Sequence, residues 1–283
     1  ALVSVHLLPA LTADTTPPAE LPALLAIARQ QAPHCRSQRH QNLPKLLYDA
    51  QARLLASDGS VWRLGVTLPL HLPPSLGTSK AYVPEPPPAA WLVLSEEYAE
   101  MEATFLIELG VHDFPALVPG DAVDDWASPA LEALLSTLCA AGDRKRLRNL
   151  TAAVVERRVQ LLPKMGEPNE PSSLLTTLRA HAWLPGSDNK LHTPGELWVR
   201  SPELEAVLGG AVGTVWSAEK MPVELATALG LRHELSASVA CALLAEWAAL
   251  PGFDATVDQM AALYRWLAPL LSVDEQLRAS LQE

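Results

Sequence analysis

The sequence predicts an α+β fold of two related subdomains, each a small antiparallel hairpin packed with several helices. Three observations predict it. First, one motif set occurs twice: Leu54-Leu55-Ala56-Ser57-Asp58-Gly59-Ser60-Val61 with Leu109-Gly110-Val111, and Leu184-Pro185-Gly186-Ser187-Asp188-Asn189-Lys190-Leu191 with Leu229-Gly230-Leu231. Second, Asp-Gly and Asp-Asn between apolar flanks are hairpin signals, because both turns need a residue that tolerates positive φ. Third, helix-periodic stretches follow the hairpins in runs rather than in regular strand-helix alternation, which argues against a parallel sheet. The two copies divide the chain into residues 1–165 and 171–283, with Gly166 to Pro171 as the linker. Such repetition indicates how a chain was built.

The elements follow in order. Leu2 to Leu8 reads as a strand ending at Pro9. A helix spans Glu20 to Gln31, its stripe formed by Leu21, Leu24, Leu25 and Ile27. After the polar loop His34 to His40, a second helix from Pro44 to Leu54 runs into the first hairpin. Trp62, Leu64, Val66 and Leu68 alternate as a half-buried strand does. Pro69 to Pro74 and Pro86 to Pro88 read as exposed docking loops around an irregular segment. Ala90 to Leu94 is a short strand, and Glu97 to Leu109 is a helix capped by Gly110. Ser128-Pro129 opens a helix to Ala141. Asp143 to Leu162 is a long charged helix. Pro171 to Ala182 is a helix feeding the second hairpin, and Ser201-Pro202-Glu203 caps a short one. Ser236 to Leu250 and Thr256 to Leu271 are helical, the latter opening on a Thr256-x-x-Gln259 capping box. Ser272-x-x-Glu275 starts a last helix.

Composition narrows the function classes. Asp and Glu outnumber Lys and Arg by 32 to 21, a formal net charge of -11. Such a surface repels phosphate backbones and anionic lipids, which disfavours nucleic acid as the main partner. The three cysteines, Cys35, Cys139 and Cys241, have no Cys-x-x-Cys spacing and read as reduced thiols of a cytoplasmic protein. No apolar run approaches the ~20 residues that span a bilayer, so no membrane partner is expected. The chain opens without an initiator Met, and is read as a segment of a longer polypeptide or a processed chain.

No catalytic motif emerges. His34, Cys35 and His40 share a loop, but closed metal sites take four ligands at tighter spacing. Asp121, Asp124 and Asp125 read as an acidic surface loop rather than a cation site. His233-Glu234 lacks the second histidine of a metalloprotease motif. No nucleophile elbow and no phosphate-binding glycine loop is present. The eight tryptophans read as core packing rather than base-stacking platforms. The expected lists of catalytic, cofactor and metal residues are therefore empty. Arg36 and Arg39 in the polar loop, and Arg144, Lys145 and Arg148 on the charged helix, are the candidate contacts to a protein partner or to nucleic acid.

The second half also carries a resemblance. Ser173-Leu174-Leu175-x-x-Leu178-Arg179-x-x-x-Trp183-Leu184-Pro185-x-Ser187-Asp188, then His192-Thr193-Pro194-Gly195-Glu196-Leu197-Trp198-Val199 and Leu225 to Leu231, resembles a pattern of sacsin-like proteins. The likeness spans Leu174 to Leu250, and more loosely Leu46 to Val118. Those proteins carry a GHKL-type ATP-binding module, whose Asp-x-Gly-x-Gly turn and acidic, Asn-bearing helix are absent here; Asp58-Gly59 lacks the second glycine. The resemblance thus implies a region downstream of the ATPase: a non-catalytic scaffold whose partner is a protein, including an ATPase in the same polypeptide or complex. In bacteria it implies anti-phage defence or nucleic-acid surveillance, and in eukaryotes a chaperone. A nucleic-acid-contacting module of a defence complex, or an enzyme of unrecognised type, are the alternatives.

Overall fold

The computed structural model describes residues 3–31, 42–65, 69–120, 122–167, 170–208, 215–249 and 257–271. It is an α+β protein whose strands pair as short antiparallel hairpins among helices. Two compact units form, residues 1–121 with 126–141, and residues 122–125 with 142–283.

The first unit begins with a correction. Val3–Leu7 is a π-helical turn that runs into helix α1 (Leu8–Thr12), where the sequence predicts a strand. Val3, Leu7 and Leu11 are buried at intervals of four, a helical spacing, and pack in one core with α2 (Leu21–Gln31). Short apolar runs do not settle helix against strand locally, and here packing decides. Helix α3 (Leu43–Asp49) is N-capped by Asn42, whose side chain accepts from the Lys45 amide. The first hairpin follows as β1 (Arg53–Leu55) and β2 (Val61–Arg63), with Leu54 opposite Trp62. Gly59 turns it at φ +82. Val66 and Leu68 lie outside the described residues.

The predicted docking loop at Pro69 to Pro74 is not exposed: Leu70, His71 and Leu72 are all buried. They are drawn in because His71 and Leu72 donate their amides to carbonyls of distant segments. The helix expected over Glu97 to Leu109 is broken into a 3-10 turn, Glu96–Tyr98, and α4 (Ala103–Glu108). A second hairpin, β3 (Val118–Pro119) with β4 (Trp126–Ala127), precedes α5 (Pro129–Ala141).

The second unit opens with α6 (Arg144–Glu156), N-capped by Asp143, and α7 (Arg158–Leu161). The sequence reading places this charged helix in the first half. In the structure α6 packs against strand β7 (Leu184–Pro185), and its Leu147, Leu150 and Val154 are buried. The predicted linker is a hairpin, β5 (Gly166–Glu167) with β6 (Glu170–Pro171), entered through Gly166 at φ +75, which pairs with Pro171. Helix α8 (Ser173–Ala180) leads to β7, which pairs with β8 (Leu191–His192). Then come α9 (Pro202–Leu208), α10 (Val223–Leu229), α11 (Ala237–Ala249) and α12 (Val257–Leu271). Thr256 and the predicted last helix from Ser272 lie outside the described residues.

The two units repeat one backbone frame. In the first, the amides of Ser57, Leu94 and Leu72 donate to the carbonyls of Val93, His71 and His112 at 2.8, 2.9 and 2.8 Å. In the second, those of Ser187, Ser217 and Val199 donate to Trp216, Trp198 and Arg232 at 2.8, 2.7 and 2.9 Å. The hairpin is thus extended by an antiparallel bridge (Ala56 to Leu94, Gly186 to Ser217) and then by two parallel ones, through His71 or through Trp198. In each unit the following helix ends in a left-handed glycine, Gly110 at φ +92 and Gly230 at φ +83. The next amide folds back as a helix C-cap does, Val111 to Leu106 and Leu231 to Ala226.

Candidate functional site

The shared frame places different chemistry at matched points. In the first unit the bridge residues are His71, Val93 and His112; in the second they are Trp198, Trp216 and Arg232. His71 is fully buried and stacks on Trp91, ring centroids 4.2 Å apart. Its Nδ1 lies 3.2 Å from the Leu92 carbonyl, and its Nε2 accepts from the Ala116 amide at 3.2 Å. Those partners fix a neutral tautomer. Burial, with a smaller contribution from His112, pushes the His71 pKa down to about 3. His112, its ring centroid 6.0 Å away, is also lowered by burial. In the second unit the Arg232 guanidinium lies over the Trp198 ring at 5.6 Å, and Arg200 over Trp216 at 5.7 Å.

The turn aspartates are structural. Asp58 accepts from the Ser60 hydroxyl and amide, which holds its carboxyl below the usual range. Asp188 accepts from the Lys190 amide and from His192. Asp125, read from sequence as part of a surface loop, accepts from the amide and hydroxyl of Ser173 at 2.7 and 2.6 Å, at the start of α8. Among the described residues no group of three His, Cys, Asp or Glu side chains is arranged to hold a metal.

Of the five candidate contact residues, Arg36 and Arg39 lie outside the described residues. Arg144, Lys145 and Arg148 are exposed on the first turns of α6. Arg148 pairs with Glu219 at 3.0 Å, and Arg146 pairs with Asp143 at 2.7 Å. The helix therefore offers fewer open cations than its sequence suggests. Trp91, Trp183, Trp198 and Trp216 are buried.

Sequence reasoning missed Tyr48. Its ring lies against two left-handed glycines: a Cβ on Gly65 or on Gly110 would come within 3.1 or 3.2 Å of it. The ring is held by these two close approaches yet stays 46% exposed, beside Ile107 at 45%. On one side is a broad cleft between α3 and α4, lined by Asn42, Lys45, Asp49, Ile107 and Glu108. On the other is a smaller cleft of about 280 Å³ that reaches Trp62 and His112. The signal was present in the sequence only as two glycines far from Tyr48. No family model, curated protein or solved structure matches this chain.

Proposed function

We propose that this chain is a non-catalytic scaffold, a protein-interaction region of a larger ATPase-associated bacterial assembly acting in the cytoplasm, in anti-phage defence or as a chaperone. One observation carries the reading. The backbone frame is repeated hydrogen bond for hydrogen bond, while His71, Val93 and His112 are replaced by Trp198, Trp216 and Arg232. Catalysis demands particular side chains at fixed points. Here the geometry is kept and the largely buried side chains are exchanged, as in repeat modules that keep a frame while their residues differ. The sacsin-like motifs fall on this frame: Leu184-Pro185 is β7, and Leu229-Gly230-Leu231 is the capped end of α10. Among the described residues no helix is long and apolar enough to cross a membrane. The nucleic-acid alternative loses support from the pairing of Arg148 with Glu219.

The test is the mass and composition of the native particle after gentle affinity capture. An ATPase in that particle, in the same polypeptide or bound to it, is the expected result. A lone monomer of this chain's own mass overturns the scaffold reading.

A further inference from the structure

The repeat offers a second use, because one unit shows what the other lacks. In the second unit Arg179 on α8 lies beside Gly230, its Nε 3.8 Å from where a Cβ would sit. Its Nε and Nη2 donate to the Ala228 carbonyl at 3.1 and 2.8 Å. A cation thus closes the carbonyl end of α10, where the helix dipole favours positive charge. In the first unit the side chain beside the matching Gly110 is Tyr48, which has no charge to offer. The carbonyl matching that of Ala228 belongs to Glu108, two residues before the glycine. Among the described residues no donor reaches it. Glu108 and Asp49 line the same open cleft, where Lys45, its one cation among the described residues, pairs with Asp49 at 3.2 Å.

We propose that the cleft between α3 and α4 receives an arginine side chain from a partner protein. The guanidinium lies on the exposed face of Tyr48 and donates to the Glu108 carbonyl, the counterpart of the Ala228 carbonyl that Arg179 reaches in the second unit. This rests on the scaffold reading and names the partner's chemistry. Three features select arginine. A planar guanidinium stacks on an aromatic face, which an ammonium does less well. The carbonyl end of α4 and the exposed Glu108 carboxylate supply negative potential, since Lys45 already offsets Asp49. The glycines at 65 and 110 hold the ring in place, so little ordering cost falls on binding.

The test is amide NMR of the intact chain titrated with N-acetyl-argininamide, with the neutral isostere N-acetyl-citrullinamide as control. Saturable shifts at Tyr48, Ile107 and Gly110 with the arginine probe, absent with citrulline, are expected. Tyr48→Ala weakens that binding between about two- and five-fold, and Tyr48→Phe restores it. Equal responses to both probes, or a Tyr48→Ala chain that binds as well as the parent, overturn the proposal. A native particle that survives Tyr48→Ala unchanged removes the site's role in assembly and leaves the scaffold standing. A lone monomer that still binds the arginine probe does the reverse.

Discussion

His71 stacks on Trp91 at 4.2 Å between ring centroids while its Nε2 accepts a hydrogen bond from the Ala116 amide. Protonation of that nitrogen removes the acceptor and places a charge in the core of the first unit. The folded chain therefore holds His71 neutral down to about pH 3, whereas the unfolded chain protonates it below about pH 6.5. Stability from this group is complete above that value and is lost as pH falls toward 3. At pH 4.5 the loss amounts to about 2–3 kcal/mol. Urea unfolding at pH 7 and pH 4.5 measures it, and His71→Gln should show a smaller difference between the two pH values. An equal difference in both proteins would assign the acid sensitivity to other groups.

The two matched glycine caps give a controlled comparison. Both have positive φ, so alanine at either costs about 1 kcal/mol from backbone strain. Gly110→Ala costs more than Gly230→Ala, because its Cβ meets the Tyr48 ring at 3.2 Å rather than Arg179 Nε at 3.8 Å. In a Tyr48→Ala background the excess disappears. A double-mutant cycle with no coupling between positions 48 and 110 would contradict the close approach.

Arg179→Ala removes both donors to the Ala228 carbonyl. We expect about 1.5–3 kcal/mol of destabilisation by chemical unfolding, the range for hydrogen bonds to charged groups. Arg179→Lys recovers only part of it, since an ammonium lacks the planar fork. Full recovery by lysine would reduce the role of Arg179 to charge alone.

Arg148→Ala breaks an ion pair with Glu219 whose arginine side chain is 58% exposed. Its effect on stability stays within about 0.5 kcal/mol, because exposed pairs are screened and entropically costly. Under the scaffold reading the same variant leaves binding to duplex DNA at physiological salt unchanged. A steep, salt-dependent loss of DNA affinity would instead restore the nucleic-acid alternative.

What the sequence by itself determined is local. The turns at Asp58-Gly59 and Asp188-Asn189, the helix at Ser128-Pro129 and the cap at Gly110 all arise from interactions within a few residues, and each stands in the structure. Tertiary packing decided the rest. Val3–Leu7 is helical because Val3 and Leu7 meet a core along one face. Leu70 to Leu72 is buried because it bridges Leu92 and His112, segments about 20 and 40 residues away. Gly166 to Pro171 is a hairpin in which Gly166 lies opposite Pro171 and the Ser172 amide closes the open end on the Met165 carbonyl. Tyr48 becomes a surface feature only when Gly65 and Gly110 are brought beneath its ring. Local preference names the turn or the cap, whereas pairing across long separations follows from which apolar faces must be covered together.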